Sequence, residues 1–179
     1  MPVTHPYEKY IRPSALRTTN CPGCGNGILA QSILRAIDEE GLDMDDFVFV
    51  SGIGCAGWIT SPFFHADILH TTHGRPVAFA TGVKLASPET RVMVVSGDGD
   101  LLAIGGNHFI HAARRNISMV VICVNNSIYG MTGGQVAPTT PSGLKTTTSP
   151  YGNVENTFDI CALAEAAGAT FVARWTVFH

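Results

Sequence analysis

Three short, unbroken runs of apolar, mostly branched residues, each ending in a glycine- or amide-rich turn, constrain this chain more than any other feature of it. They are Phe47 to Ser51, Arg91 to Ser96 and Ser118 to Val124. Continuous rather than alternating apolar residues mark strands covered on both faces, as in parallel sheets. Helical patterns lie between and around them. Ile28 to Glu40 puts Ile28, Leu29, Ile33, Leu34 and Ile37 on one face, with Gly41 as its stop. Val77 to Ala86, Gly106 to Arg115 and Phe158 to Ala167 are the other expected helices, the last stopped by Gly168. A fourth strand is expected over Ala169 to Trp175. This alternation predicts an α/β fold with a doubly wound, mostly parallel sheet. The 179 residues suit a single domain over 1–179. Because the last strand has no helix after it, the domain is expected to continue beyond His179.

In open α/β sheets ligands bind outside the carboxyl ends of the strands, at a switch point of the topology. The turns that follow the three runs are Gly52-Ile-Gly-Cys-Ala-Gly57, Gly97-Asp-Gly-Asp100 and Asn125-Asn-Ser-Ile-Tyr-Gly130. They are therefore expected on one rim. The first matches the dinucleotide fingerprint G-x-G-x-x-G. Pro62 stands where the following helix should be under way, and no acidic residue ends a strand about 20 positions on, so a nicotinamide site is disfavoured. The second and third turns fit a different chemistry. Magnesium takes oxygen ligands in near-octahedral geometry and commonly combines one or two protein oxygens with phosphates. Asp98 supplies a carboxylate and Asn126 an amide oxygen, each just past a buried strand. Gly97 and Gly99 let backbone N–H groups approach a diphosphate.

Composition narrows the field. Only 14% of residues are charged, the net charge is −3 and no basic run exists, so nucleic acid is not an expected partner. The low charge also suggests a surface covered by a partner chain. No segment has the roughly 18 apolar residues of a membrane span, and Met1 to Arg17 holds no signal-peptide core. A cytoplasmic chain is expected, and in it five cysteines point to metal or to buried thiols rather than disulfides. The glycosylation patterns at Asn116 and Asn125 are then chance matches. Cys21-Pro-Gly-Cys24 can present two thiolates to one centre, with Cys55 as a third; spacing alone favours zinc. Cys123, in a strand, and Cys161, in a helix, read as small core residues. Of His65, His70 and His73, only His73, followed by Gly74 and Arg75, is assigned to a site. His108 and His111 share a helix face and read as structural or interfacial. Gln135 to Gly152, crowded with proline, threonine and glycine, reads as a long loop.

The runs CPGCGNG, VSGIGC, LHTTHGR, GDGDLLAIGGNH and NNSIYGMTGGQ, in that order, carry a resemblance. From Cys21 to Trp175 the chain resembles the β subunit of 2-oxoacid:ferredoxin oxidoreductases, which bind thiamine diphosphate. The resemblance implies that Asp98, Asn126 and the backbone oxygen of Ile128 hold Mg2+. It implies that Gly99, Asp100, Gly130 and Met131 line the diphosphate and thiazolium, that Ile53, Gly54, Cys55 and Ala56 cover the cofactor, and that His73 touches it. It also replaces zinc by a 4Fe-4S cluster on Cys21, Cys24 and Cys55, the fourth cysteine being expected past His179. The implied reaction is oxidative decarboxylation of a 2-oxoacid to an acyl-CoA, with coenzyme A as acyl acceptor and ferredoxin as electron acceptor. Tyr129 to Gln135 and Thr146 to Gly152 resemble the 2-oxoglutarate members, with pyruvate or a broader 2-oxoacid range as the alternative. Arg75 or Lys145 is the candidate partner of a second substrate carboxylate. Ala56-Gly57-Trp58 departs from the usual pattern, in which a small hydroxyl residue is common. The glutamate that activates the cofactor is supplied in the family by an α subunit, so activity is expected only with that partner. The two rival readings are a nicotinamide enzyme and a non-catalytic electron-transfer subunit.

Overall fold

The chain is described from a computed structural model over residues 5–14 and 18–178. The N-terminal stretch read as free of a signal peptide thus falls partly outside the described residues, and so does His179.

Four parallel strands form the sheet: β1 (Phe47–Ser51), β2 (Asp67–His70), β3 (Arg91–Gly97) and β4 (Val120–Val124), in the order β2-β1-β3-β4. Side chains alternate across this sheet and feed two cores. Phe47, Phe49 and Val95 pack with Ile33, Leu34 and Ile37 of α1 (Gly25–Glu39) and Ile59 of α2 (Gly57–Thr60). Val50, Val92 and Val94 pack on the other face with Val77 and Ala80 of α3 (Pro76–Ala86), Phe109 of α4 (Gly106–Arg114) and Ala164 of α5 (Ile160–Ala166). Burial on both faces is what the continuous apolar runs require, and helices on both faces make the sheet doubly wound.

Local chemistry sets the helix ends. Cys24 precedes α1, which therefore starts at Gly25 rather than Ile28; Ile28, expected on the core face, stands exposed in the first turn. Proline opens α3, where its missing N–H costs nothing. Asp159 caps α5 by accepting from Cys161 N at 3.0 Å and Ala162 N at 3.3 Å, which moves that helix start past Phe158. After β1 the chain makes one helical turn, α2, and leaves it at Ser61 before Pro62, so no dinucleotide-type helix follows the glycine-rich turn.

Two expectations need correction. Strand β2 was not foreseen: it is a four-residue edge strand with polar ends and only Ile68 and Leu69 between them. Ala169 to Trp175 is not a strand. Ala169 and Val172 pack on the second core, but Phe171 and Trp175 point outward and no ladder with β4 forms, leaving β4 at the sheet edge. Gln135 to Gly152 is mostly loop, yet it opens with a short strand, β6 (Gln135–Val136), antiparallel to β5 (Ile128–Tyr129). No helix among the described residues is long and apolar enough to cross a membrane.

Candidate active site

The sheet order places the switch point between β1 and β3: the chain leaves β1 toward β2 on one side, then crosses back to β3 on the other. The turns after β1, β3 and β4 converge there, joined by the Thr71–Gly74 turn after β2. Gly97 pairs in register with Val124, so Asp98 and Asn126 follow neighbouring strand ends. The Asn126 backbone N–H is near enough to the Asp98 carboxylate to favour its charged form slightly.

Asp98 is 2% exposed, and burial raises its carboxyl above the ordinary value. The Thr139 hydroxyl, donating to Oδ2, and the N–H groups of Gly99, Asp98 and Asn126 oppose that rise. Asn126 is exposed; its Oδ1 accepts from Ile128 N at 3.2 Å, which folds the Asn126–Ile128 segment into a tight turn with Ser127 at φ 60°. Thr140 Oγ1 donates to Ser127 O at 2.7 Å, while Asn153 Nδ2 and Thr157 Oγ1 each donate to Thr140 O at 2.9 Å. The threonine-rich loop is therefore a bracket, holding Asp98 through Thr139 and the Asn126 turn through Thr140. Both threonines are buried, and no sequence pattern singles them out beyond the length of the loop.

A magnesium ion and a diphosphate fit this arrangement. Asp98, Asn126 and the Ile128 carbonyl are hard oxygen donors on one rim, as the ion requires. A close approach keeps the backbone open at Gly99, where a Cβ would lie 2.6 Å from Tyr129 Cζ. Tyr129 donates its hydroxyl to Gly99 O at 3.1 Å and stands edge-on to His73 at 6.1 Å. Its own hydroxyl is pushed up by burial and then by the charges of Asp98 and Asp100. Ile53 and Met131, expected to line the cofactor, are exposed on the same rim; Gly54 is partly exposed and Ala56 buried.

Asp100 departs from its expected place. Its carboxylate turns into the protein, 3% exposed, instead of lining the cleft. Oδ1 accepts from Ile53 N at 3.2 Å, Gly74 N at 2.7 Å and His73 Nδ1, and Oδ2 from Ser96 Oγ at 2.7 Å. One buried carboxylate thus ties together the turns after β1, β2 and β3. Arg75, beside it, extends its guanidinium to Ile104 O at 3.2 Å, and Lys145 is exposed. His70 meets Ser51 Oγ at 3.1 Å through Nδ1, His65 is exposed, and His111 accepts from Arg114 Nε at 3.2 Å.

The three assigned cysteines are neighbours. Burial first, and then the charges of Cys24 and Cys21, push the Cys55 thiol up. Buried Asn26, not singled out in CPGCGNG, makes the link: its Nδ2 donates to Asn20 Oδ1 at 3.2 Å and to Cys55 O at 3.3 Å. Val177 packs beside the same loop, 3.0 Å from where a Gly25 Cβ would lie. Among the described residues no three His, Cys, Asp or Glu side chains stand close enough to hold a single metal ion. Cys123 and Cys161 lie elsewhere and are partly rather than fully buried; burial pushes the Cys123 thiol up to about 12.

Residues 52–178 match the family model described as "Thiamine pyrophosphate enzyme, C-terminal TPP binding domain". The chain belongs to that family. Thiamine pyrophosphate is thiamine diphosphate, and the matched region contains every element of the Asp98–Asn126 rim. The chain is also similar to 2-oxoglutarate synthase subunit KorB of Methanocaldococcus jannaschii, 59% identical over 98% of this chain and 64% of the relative. It is similar to the 2-oxoacid:ferredoxin oxidoreductase subunit beta of a Sulfolobus species, 49% identical over 86% of this chain and 51% of the relative. A solved structure, 2-oxoglutarate:ferredoxin oxidoreductase from Magnetococcus marinus with 2-oxoglutarate, coenzyme A and succinyl-CoA bound, superposes with a TM-score of 0.88. That match has 38% identity and covers 95% of this chain and 57% of the other. The chain thus spans between half and two thirds of the length of these relatives.

Proposed function

We propose that this chain is the cofactor-binding part of the β subunit of a 2-oxoglutarate:ferredoxin oxidoreductase, in the cytoplasm. The enzyme would convert 2-oxoglutarate and coenzyme A to the acyl-CoA and carbon dioxide, passing the electrons to ferredoxin. The observation that carries this reading is the meeting of Asp98 and Asn126 at the β1/β3 switch point, in a sequence so similar to KorB proteins.

Thiamine diphosphate, when bound, supplies the electron sink that decarboxylation of a 2-oxoacid needs. The residues of this chain bind and orient it. Asp98, Asn126 and the Ile128 carbonyl would hold Mg2+ and through it the diphosphate. Gly99, Gly130 and Met131 would lie along the cofactor, and Ile53, Gly54, Cys55 and Ala56 would cover it from the β1 turn. Asp100 would act from behind, fixing the turns that shape the cleft. His73 would face the cofactor, and Arg75 would pair with the second carboxylate of the substrate. Cys21, Cys24 and Cys55 would hold a 4Fe-4S cluster, which supplies one-electron chemistry. A partner α subunit would complete the site with the carboxylate that activates the cofactor.

The test is reconstitution: full-length β subunit, alone and with its α subunit, assayed for ferredoxin reduction with 2-oxoglutarate and coenzyme A. Turnover only in the assembled enzyme is expected. Turnover by the isolated subunit would overturn the shared site, and oxidation of pyruvate in preference to 2-oxoglutarate would overturn the substrate.

A further inference from the structure

We propose that Asp100 is a positioning residue that sets the tautomer of His73, so that the bare Nε2 faces the cleft and accepts a hydrogen bond from an amino or hydroxyl group of the bound ligand. This rests on the reading of the cleft as the thiamine diphosphate site. Two backbone N–H groups, of Ile53 and Gly74, donate to Asp100 Oδ1, so that oxygen carries no proton. His73 Nδ1 meets the same oxygen and must therefore be the donor. The hydrogen bond made by one ring nitrogen fixes which nitrogen bears the proton, and in the neutral ring Nε2 is then an acceptor.

Orientation follows from burial. The Asp100 side chain is 2% exposed and that of His73 39%, so the ring is anchored at its inner edge and Nε2 lies at the outer one. No partner for Nε2 occurs among the described residues. The Tyr129 ring stands at 87° to the imidazole, and its hydroxyl is tied to Gly99 O, so one side of the ring is braced. Asp100 itself sits in a six-residue π-helix, Gly99–Ile104, of the kind that often marks functional sites. The ligand atom that suits a bare Nε2 is a donor. A phosphate oxygen, an acceptor at neutral pH, does not suit it.

The proposal is tested on the full-length protein in its native complex. Nitrogen-15 NMR of labelled histidine, with His73 assigned by its loss in His73→Asn, should show His73 protonated at Nδ1. Asp100→Asn should keep that tautomer, because its amide oxygen can serve the three donors while its amide nitrogen turns to Ser96 Oγ. Asp100→Leu should lose it. His73→Asn retains a donor for Asp100 but has no Nε2. Its denaturation midpoint should stay near that of the parent, while calorimetry should show thiamine diphosphate bound about tenfold more weakly with Mg2+. Binding of inorganic pyrophosphate should be unchanged in the same variant. A His73 proton on Nε2, equal weakening of both ligands, or unchanged thiamine diphosphate affinity would each overturn the proposal. Failure of the parent protein to bind thiamine diphosphate would instead overturn the functional reading, and the tautomer result would stand apart from it.

Discussion

Gly52 is the most confined position on the cleft rim, and Gly52→Ala tests how the site is held. A Cβ there would stand 2.6 Å from Asp100 Cγ and 2.7 Å from Oδ1, closer than side chains tolerate. The obstacle cannot swing aside, because that carboxylate is buried and receives four hydrogen bonds. Overpacking alone costs about 1–3 kcal/mol. Moving the carboxylate also weakens bonds to a charged group, each worth about 1.5–3 kcal/mol. Even one such loss brings the total to about 2.5–6 kcal/mol, against a whole-domain stability of about 5–15 kcal/mol. Gly82→Ala in α3 is the control: nothing lies within 4 Å of its Cβ position, and alanine should stabilise the helix by up to about 1 kcal/mol. Urea titration followed by circular dichroism should show the midpoint falling for Gly52→Ala and holding or rising for Gly82→Ala. If Gly52→Ala is as benign as its control, Asp100 does not hold the rim as described.

Asp98→Asn should stabilise the cofactor-free protein while removing its capacity to load cofactor. Burial raises the Asp98 carboxyl, so the folded state binds its proton more tightly than the unfolded one and stability falls as pH climbs out of the ordinary carboxylate range. Urea midpoints at pH 4 and pH 7 should show a smaller fall in the variant. Thr139→Val removes the hydroxyl that orients Asp98 and should weaken magnesium-dependent cofactor binding about tenfold, with Thr139→Ser restoring it in calorimetry. Serine at Cys21, Cys24 or Cys55 should abolish iron content and visible absorption, whereas serine at Cys123 or Cys161 should spare both. In iron-free protein at pH 8, iodoacetamide should label exposed Cys21 well before Cys123, whose thiol is pushed up to about 12.

What the sequence revealed and concealed follows from how each feature is encoded. Strands β1 and β3 were legible because burial on two faces demands unbroken apolar runs; β4 carries such a run too, although it lies half-buried at the sheet edge. Strand β2 needs only two apolar residues at a sheet edge, too few to stand out. Ala169 to Trp175 has the composition of a strand, but composition does not supply a ladder partner, and here two of its residues pack while its aromatic side chains face out. Asp98 and Asn126 were legible because each directly follows a strand, so topology alone brings them together. Thr139 was not: it reaches Asp98 across 41 positions from within a loop that has no periodicity. Asp100 was placed by its motif but not by its direction. Whether a rim carboxylate faces ligand or protein depends on the N–H groups of other turns, here those of Ile53 and Gly74, which no local pattern announces.

Under the proposed function, Asp98 anchors a magnesium-bound thiamine diphosphate at the β1/β3 switch point. Isothermal titration of thiamine diphosphate into the assembled full-length enzyme, with and without Mg2+, tests it most directly beside the Asp98→Ala variant. Saturable, magnesium-dependent binding to the parent enzyme and none to Asp98→Ala is the expected result. Equal affinity in the two proteins would contradict it.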